Sequence, residues 1–157
     1  MLRITPQADL GVFFDADNHR YLQQHPGSGA PLLEKAAFIA HYAGCPSIGF
    51  ECDGQPIGGV IFDGQQAHIA VMPDYHGRWG LLLKPACDWL FGLRREVFVR
   101  VESDNLKSRR MMDRCGWQRV GTEGEDLIYR MAPQRGLRKA PYPWASRRQG
   151  AAQSSGA

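Results

Sequence analysis

Between Ser47 and Val71 three apolar runs, SIGFEC, PIGGVIF and QAHIAV, are separated by two aspartate-glycine pairs, Asp53-Gly54 and Asp63-Gly64. Such pairs between apolar runs mark tight hairpin turns, because both central residues can reach positive φ. The stretch therefore predicts an antiparallel meander of three strands. Gly58 and Gly59, inside the middle run, mark a bulge or a close approach of backbones.

On either side the pattern changes. Leu2 to Thr5 reads as a first strand, and Asp9 to Gln24 carries Leu10, Phe13, Phe14, Tyr21 and Leu22 at helical spacing. Pro26 to Ala30 breaks that helix, Pro31 opens a second one through Tyr42, and Gly44 and Pro46 end it. Downstream, Gly80 to Leu93 has helical periodicity and Glu96 to Val101 alternates as a strand, which suggests a βαβ crossover. Asn105 to Cys115 forms a further helix with Gly116 as its C-terminal cap. Strands through Gln118 to Gly121 and Leu127 to Met131 complete the order.

A chain of 157 residues with 43% hydrophobic content is read as one globular domain, residues 1–132, followed by a basic tail, residues 133–157. The formal charge is +3, yet Arg135, Arg138, Lys139, Arg147 and Arg148 follow Ala132 with no acid among them, so the body carries −2. The tail reads as extended or disordered, and as an arm that could touch nucleic acid or an acidic partner. Cys45, Cys52, Cys87 and Cys115 stand singly, without the spacing of a zinc site, and read as reduced core thiols; no metal is expected. No apolar run is long enough to span a bilayer, so a cytoplasmic protein that makes no use of a membrane is expected.

The stretch Ala67 to Leu83 carries the chemistry. A strand runs into MPDYHGRWG and then a helix, and a helix N-terminus presents free N–H groups and the positive end of its dipole to an anion. His76 and Arg78 add positive charge, which suits phosphate. A plain strand-to-helix turn with Trp79 in the core is the competing reading.

The element order and two segments resemble the GNAT superfamily of N-acyltransferases. His76, Gly77, Arg78, Trp79, Gly80 and Leu81 match the family's R-x-x-G-x-G/A loop, with His76, Trp79 and Leu81 departing from it. Asn105 to Trp117 is similar to the family's N-x-x-A-x-x-L-Y-E-K-x-G-F, with Asn105, Ser108, Met111, Asp113, Arg114, Gly116 and Trp117 matching in identity or type. The resemblance covers Leu2 to Met131. It implies an α/β (α+β) fold, with a mixed, mostly antiparallel central sheet and helices on both faces. It also implies acyl transfer from acetyl-CoA, or another acyl-CoA, to a primary amine. The acceptor would be a small molecule, a protein or a modified nucleobase, and the protein a monomer or homodimer.

The resemblance also implies that Ala70, Val71 and Met72 offer backbone groups to the pantetheine arm. Residues His76 to Leu81 would cradle the pyrophosphate, and Asn105 and Ser108 would lie along the pantetheine or adenine side. For such a cradle to work, Trp79 must keep negative φ and point away from the phosphate path. The family's frequent general acid is a tyrosine, where this chain has Met112; water, Tyr75 or Tyr129 would then protonate the leaving thiolate. As base, His68 is the first candidate, against a structural or surface histidine; Glu102 is second, against a solvated acid opposite Arg100; Glu51 is a third. A catalytically degenerate GNAT domain serving as a structural or binding module is the rival function. Compact size and the HIAV-x-P-x-YHGRW wording also resemble GNAT-like proteins of bacteriophages, in which the acceptor would be an amine on modified DNA or a host protein.

Overall fold

The computed structural model describes residues 1–24, Gly27 and 34–133. The expected break at Pro26 to Ala30, apart from Gly27, the helix start at Pro31 and the tail beyond Pro133 lie outside these residues. The described chain forms two compact units, Met1–Leu90 and the part from Phe91 onward.

In the first unit, β1 (Leu2–Thr5), β2 (Ser47–Cys52), β3 (Gln55–Phe62) and β4 (Ala67–Val71) form an antiparallel sheet in that order. The predicted meander is present. Asp53 and Gly54 both take positive φ, 50° and 85°, so this turn has the expected chemistry. The second turn differs. Only Gly64 is left-handed there, because the Asp63 N–H bonds the Gln66 carbonyl and a four-residue loop closes the hairpin.

Both middle-strand glycines mark close approaches. A Cβ on Gly58, at φ 146°, would stand 2.1 Å from the Ala70 carbonyl oxygen, and one on Gly59 would stand 2.3 Å from that of Ile48. The register between β2 and β3 also slips at this point, between Phe50 and Glu51, which is the expected bulge.

Helices α1 (Leu10–Gln24) and α2 (Lys35–Tyr42) pack with this sheet. Asp9 starts α1 by accepting the Val12 N–H at 3.0 Å. Phe13, Phe14 and Ala16 of α1 join Phe38 of α2, Ile61 of β3 and Ala70 of β4 in one buried cluster, against which Met72 packs. The Phe38 ring lies 5.9 Å from Phe13 and 5.4 Å from Phe14. Removing a ring such as Phe13 from a cluster like this costs about 3–5 kcal/mol. The helix expected from Gly80 begins later. Two 3-10 turns, Pro73–Tyr75 and Trp79–Leu82, intervene before α3 (Leu83–Leu93).

The second unit holds β5 (Val97–Val101), α4 (Leu106–Arg114), β6 (Gln118–Glu123) and β7 (Asp126–Met131), with the strands in the antiparallel order β5-β7-β6. Each ladder among the described residues is antiparallel: β4 pairs with β3 in the first unit, and β5 with β7 in the second. Helix α4 is capped at both ends. Asn105 caps its start by accepting the Ser108 N–H at 3.2 Å. At its end Gly116 takes φ 71° and bonds the Asp113 carbonyl, while the Trp117 N–H reaches Met112, which together make a Schellman motif. Of the four cysteines, Cys52, Cys87 and Cys115 are buried and Cys45 is half-buried. Among the described residues no helix is long and apolar enough to cross a membrane.

Candidate functional site

Strand β4 is the edge of its sheet, and its single register with β3 decides which of its backbone groups are in use. Met72 gives its N–H to Ile57 at 2.7 Å, and Asp63 gives its own to Gln66 at 3.1 Å. Bonded pairs alternate along an antiparallel ladder, and the register pairs Gly59 with Ala70 and Ile61 with His68. His68, Ala70 and Met72 therefore bond inward to β3. Ile69 and Val71 turn their N–H and C=O groups away from β3. Of the three backbone positions expected to meet a pantetheine arm, Ala70, Val71 and Met72, the ladder leaves Val71 open.

The Val71 carbonyl has a second role. His76 approaches it through Nε2 at 2.7 Å, and because a carbonyl only accepts, that nitrogen carries the hydrogen. The side chain thus ties the end of β4 to the loop five residues on. Within the loop the N–H groups of Tyr75, His76, Arg78 and Leu81 go to the carbonyls of Met72, Pro73, Tyr75 and Arg78. Those of Gly77, Trp79 and Gly80 donate to no backbone carbonyl among the described residues. A Cβ on Gly77 or Gly80 would meet nothing within 4 Å. Three N–H groups without a backbone acceptor thus fall within four residues, on a loop that also carries His76 and Arg78. The Arg78 guanidinium lies 5.1 Å from the Tyr75 ring centroid; Asp74, in the same loop, offsets part of the positive charge.

The backbone part of the condition set for Trp79 is met. Asp53 is the one non-glycine residue at positive φ among the described residues, so Trp79 is not left-handed. Its ring stacks on Phe50, which is fully buried, at 5.8 Å and 24°. The indole is therefore anchored to the sheet. Leu81, where the family has a small residue, is 79% exposed and turned to solvent.

His68 lies three residues, or about 10 Å, upstream of Val71 on the same strand. Its Nε2 is 2.8 Å from Asp63 Oδ2, and its ring is 5.4 Å from that of Tyr42 on α2. Neither Asp63 nor Tyr42 emerged from sequence reasoning. Asp63 was read only as a turn former, although an aspartate's local hydrogen bonding at the start of a hairpin is the signal that could have found it. Partial burial works to raise the Asp63 carboxyl, but the Gln66 N–H, His68 and the Gln65 N–H outweigh it and hold it below the usual carboxylate range. Burial pushes the Tyr42 hydroxyl up, helped by Asp63 and Asp17.

Of the other candidates, Glu51 belongs to the first unit and Glu102, Asn105, Met112 and Tyr129 to the second. Glu102 is half-buried just after β5, and its carbonyl accepts the Asn105 N–H at 2.9 Å. Asn105, 6% exposed, is brought together with Ser108 by the cap. Glu51 pairs with Arg3 at 2.5 Å. Met112 is 2% exposed and belongs to the core. Tyr129 is fully buried; its hydroxyl donates to Asp113 and accepts from Arg119, both at 3.1 Å, so its proton is already in use.

No family model and no curated protein sequence matches this chain. Solved structures do. PaiA N-acetyltransferase from Thermoplasma acidophilum, in complex with coenzyme A, is 14% identical with a TM-score of 0.65, over 85% of this chain and 99% of that one. Ribosomal-protein-alanine N-acetyltransferase from Brucella melitensis is 15% identical with a TM-score of 0.61, over 85% and 99%. YncA from Salmonella typhimurium, with its cofactor acetyl-CoA, is 17% identical with a TM-score of 0.56, over 92% and 98%. At these identities the likeness establishes the fold: this chain has the GNAT fold.

Proposed function

We propose that this GNAT-fold chain is an N-acyltransferase that moves an acetyl or other acyl group from acyl-CoA to a primary amine by direct attack on the thioester. One observation carries the reading. The N–H groups of Gly77, Trp79 and Gly80, without backbone acceptors among the described residues, come shortly after Val71, whose N–H faces away from β3 and whose carbonyl holds His76. Successive backbone donors of this kind suit a pyrophosphate, because they depend on no side chain and tolerate the replacements His76, Trp79 and Leu81. Arg78 adds charge to the same end.

Acyl-CoA would supply the acyl group already activated as a thioester. Phosphates held at residues 77–80 would leave the pantetheine arm to run back along the β4 edge, past Val71 toward Ile69. The acceptor arrives as an ammonium and must lose one proton before attack and a second as the amide forms. A nitrogen–carbon bond forms, the carbon–sulfur bond breaks, and the sulfur takes up one proton. His68 is the proposed acceptor of the other. A thiolate is a stable leaving group, so with Met112 in place of an acid its proton comes from water or from Tyr75, the more accessible hydroxyl.

The test is calorimetry with acetyl-CoA. The expected result is micromolar affinity, weakened about tenfold or more by Gly77→Pro, which removes one cradle donor. No heat of binding by the unaltered protein would remove the reading. Binding without turnover on any primary amine would point instead to a degenerate binding module, the role that the buried Met112 would fit.

A further inference from the structure

We propose that Asp63 is a positioning residue for His68: it fixes the hydrogen on Nε2 and leaves the Nδ1 lone pair to take the acceptor's proton. This rests on the acyltransferase reading for its role, but its geometry stands alone.

The two carboxylate oxygens of Asp63 have separate tasks. Oδ1 accepts the Gln65 N–H at 2.9 Å and the Gln66 N–H at 2.7 Å, which sets the carboxylate at the mouth of the hairpin. Oδ2 faces His68 Nε2 at 2.8 Å. An ionised carboxylate only accepts, so Nε2 must donate. In a neutral imidazole the remaining lone pair then sits on Nδ1. The His68 side chain is 33% exposed, so it is open to solvent yet held on one side by the Tyr42 ring. When Nδ1 takes a proton, the imidazolium already faces a counter-charge fixed by two backbone donors.

Among the described residues, titratable groups meet the ring from the hairpin and from α2. Asp63 comes from the hairpin, and Tyr42 from α2, with His41 edge-on behind it at 4.7 Å. Asp17 of α1 acts on Tyr42.

Asp63→Asn separates positioning from folding. Its amide oxygen keeps the two turn N–H groups, while its NH₂ now points at Nε2 and drives the ring hydrogen to Nδ1. Nitrogen-15 NMR of the full chain should show the Nε2–H form of His68 in the unaltered protein and the Nδ1–H form in Asp63→Asn. In turnover assays kcat should fall on the order of 100-fold in Asp63→Asn and in His68→Gln, with no further fall in the double variant, because the two residues act as one unit. Acetyl-CoA affinity by calorimetry should stay the same in all three. An Nδ1–H form in the unaltered protein, or unchanged kcat in Asp63→Asn, overturns the proposal. Absence of acetyl-CoA binding by the unaltered protein instead overturns the acyltransferase reading, and the NMR result still decides the tautomer.

Discussion

The segments Ala67 to Leu82 and Asn105 to Trp117 both carry a family-like wording, and they are built on opposite principles. Helix α4 closes on itself. Its start is capped by the Asn105 side chain, its end by the Gly116 turn, and Met112 and Trp117 are buried. The β4 segment does the reverse. It ends in 3-10 turns, keeps donors at Gly77, Trp79 and Gly80 without backbone acceptors among the described residues, and turns the Val71 N–H away from β3. A motif whose polar groups are consumed internally explains stability, and one whose polar groups stay open explains binding.

This contrast can be broken in order of expected effect. Gly58→Val puts a branched side chain at φ 146° against the Ala70 carbonyl, and should cost about 3 kcal/mol or more. Chemical denaturation would measure it, and a loss under 1 kcal/mol would show that β4 is not held so close to β3. Gly116→Ala should cost about 1–2 kcal/mol, from the left-handed conformation it must adopt, and leave acetyl-CoA affinity untouched. Asn105→Ala should cost about 1 kcal/mol for the lost cap. Its affinity change should be smaller than that of Gly77→Pro; a larger one would mean that α4 is not the closed element it looks to be.

The smallest effect is on pH. The Asp63 carboxyl is held below its usual range in the folded chain, so its contribution is present above the unfolded value of about 4 and is lost as pH falls through the folded value. The melting-temperature gap between the unaltered protein and Asp63→Asn should therefore be constant near neutrality and shrink in acid. A gap that widened in acid would reverse the sign of this argument.

Local chemistry was legible in the sequence where it did not depend on distant contacts. Asp53-Gly54 announces its turn because both residues sit between the strands they join. Gly116 announces a cap because only a left-handed residue ends a helix in that way. Gly58 was readable as a bulge or close approach, although not which backbone it approaches. The second hairpin escaped because its loop length depends on where the ladder closes, at Asp63 and Gln66. The start of α3 escaped because 3-10 turns and α-helix share the same apolar spacing over so short a run. At the site the family-like positions were visible, but the alternation that leaves Val71 open and Ala70 bonded follows from strand register. The pairing of Asp63 with His68 requires knowing which way a turn side chain folds.

The bond from His76 to the Val71 carbonyl closes residues 71 to 76 into a ring, part chain and part side chain. A loop closed in this way gives up its conformational freedom when the protein folds, so that entropy is not charged again when a ligand arrives. The consequence is a constraint on length. One residue inserted between Val71 and His76 would leave every donor of the loop intact and still part the ring, so affinity would suffer through disorder and not through any lost contact.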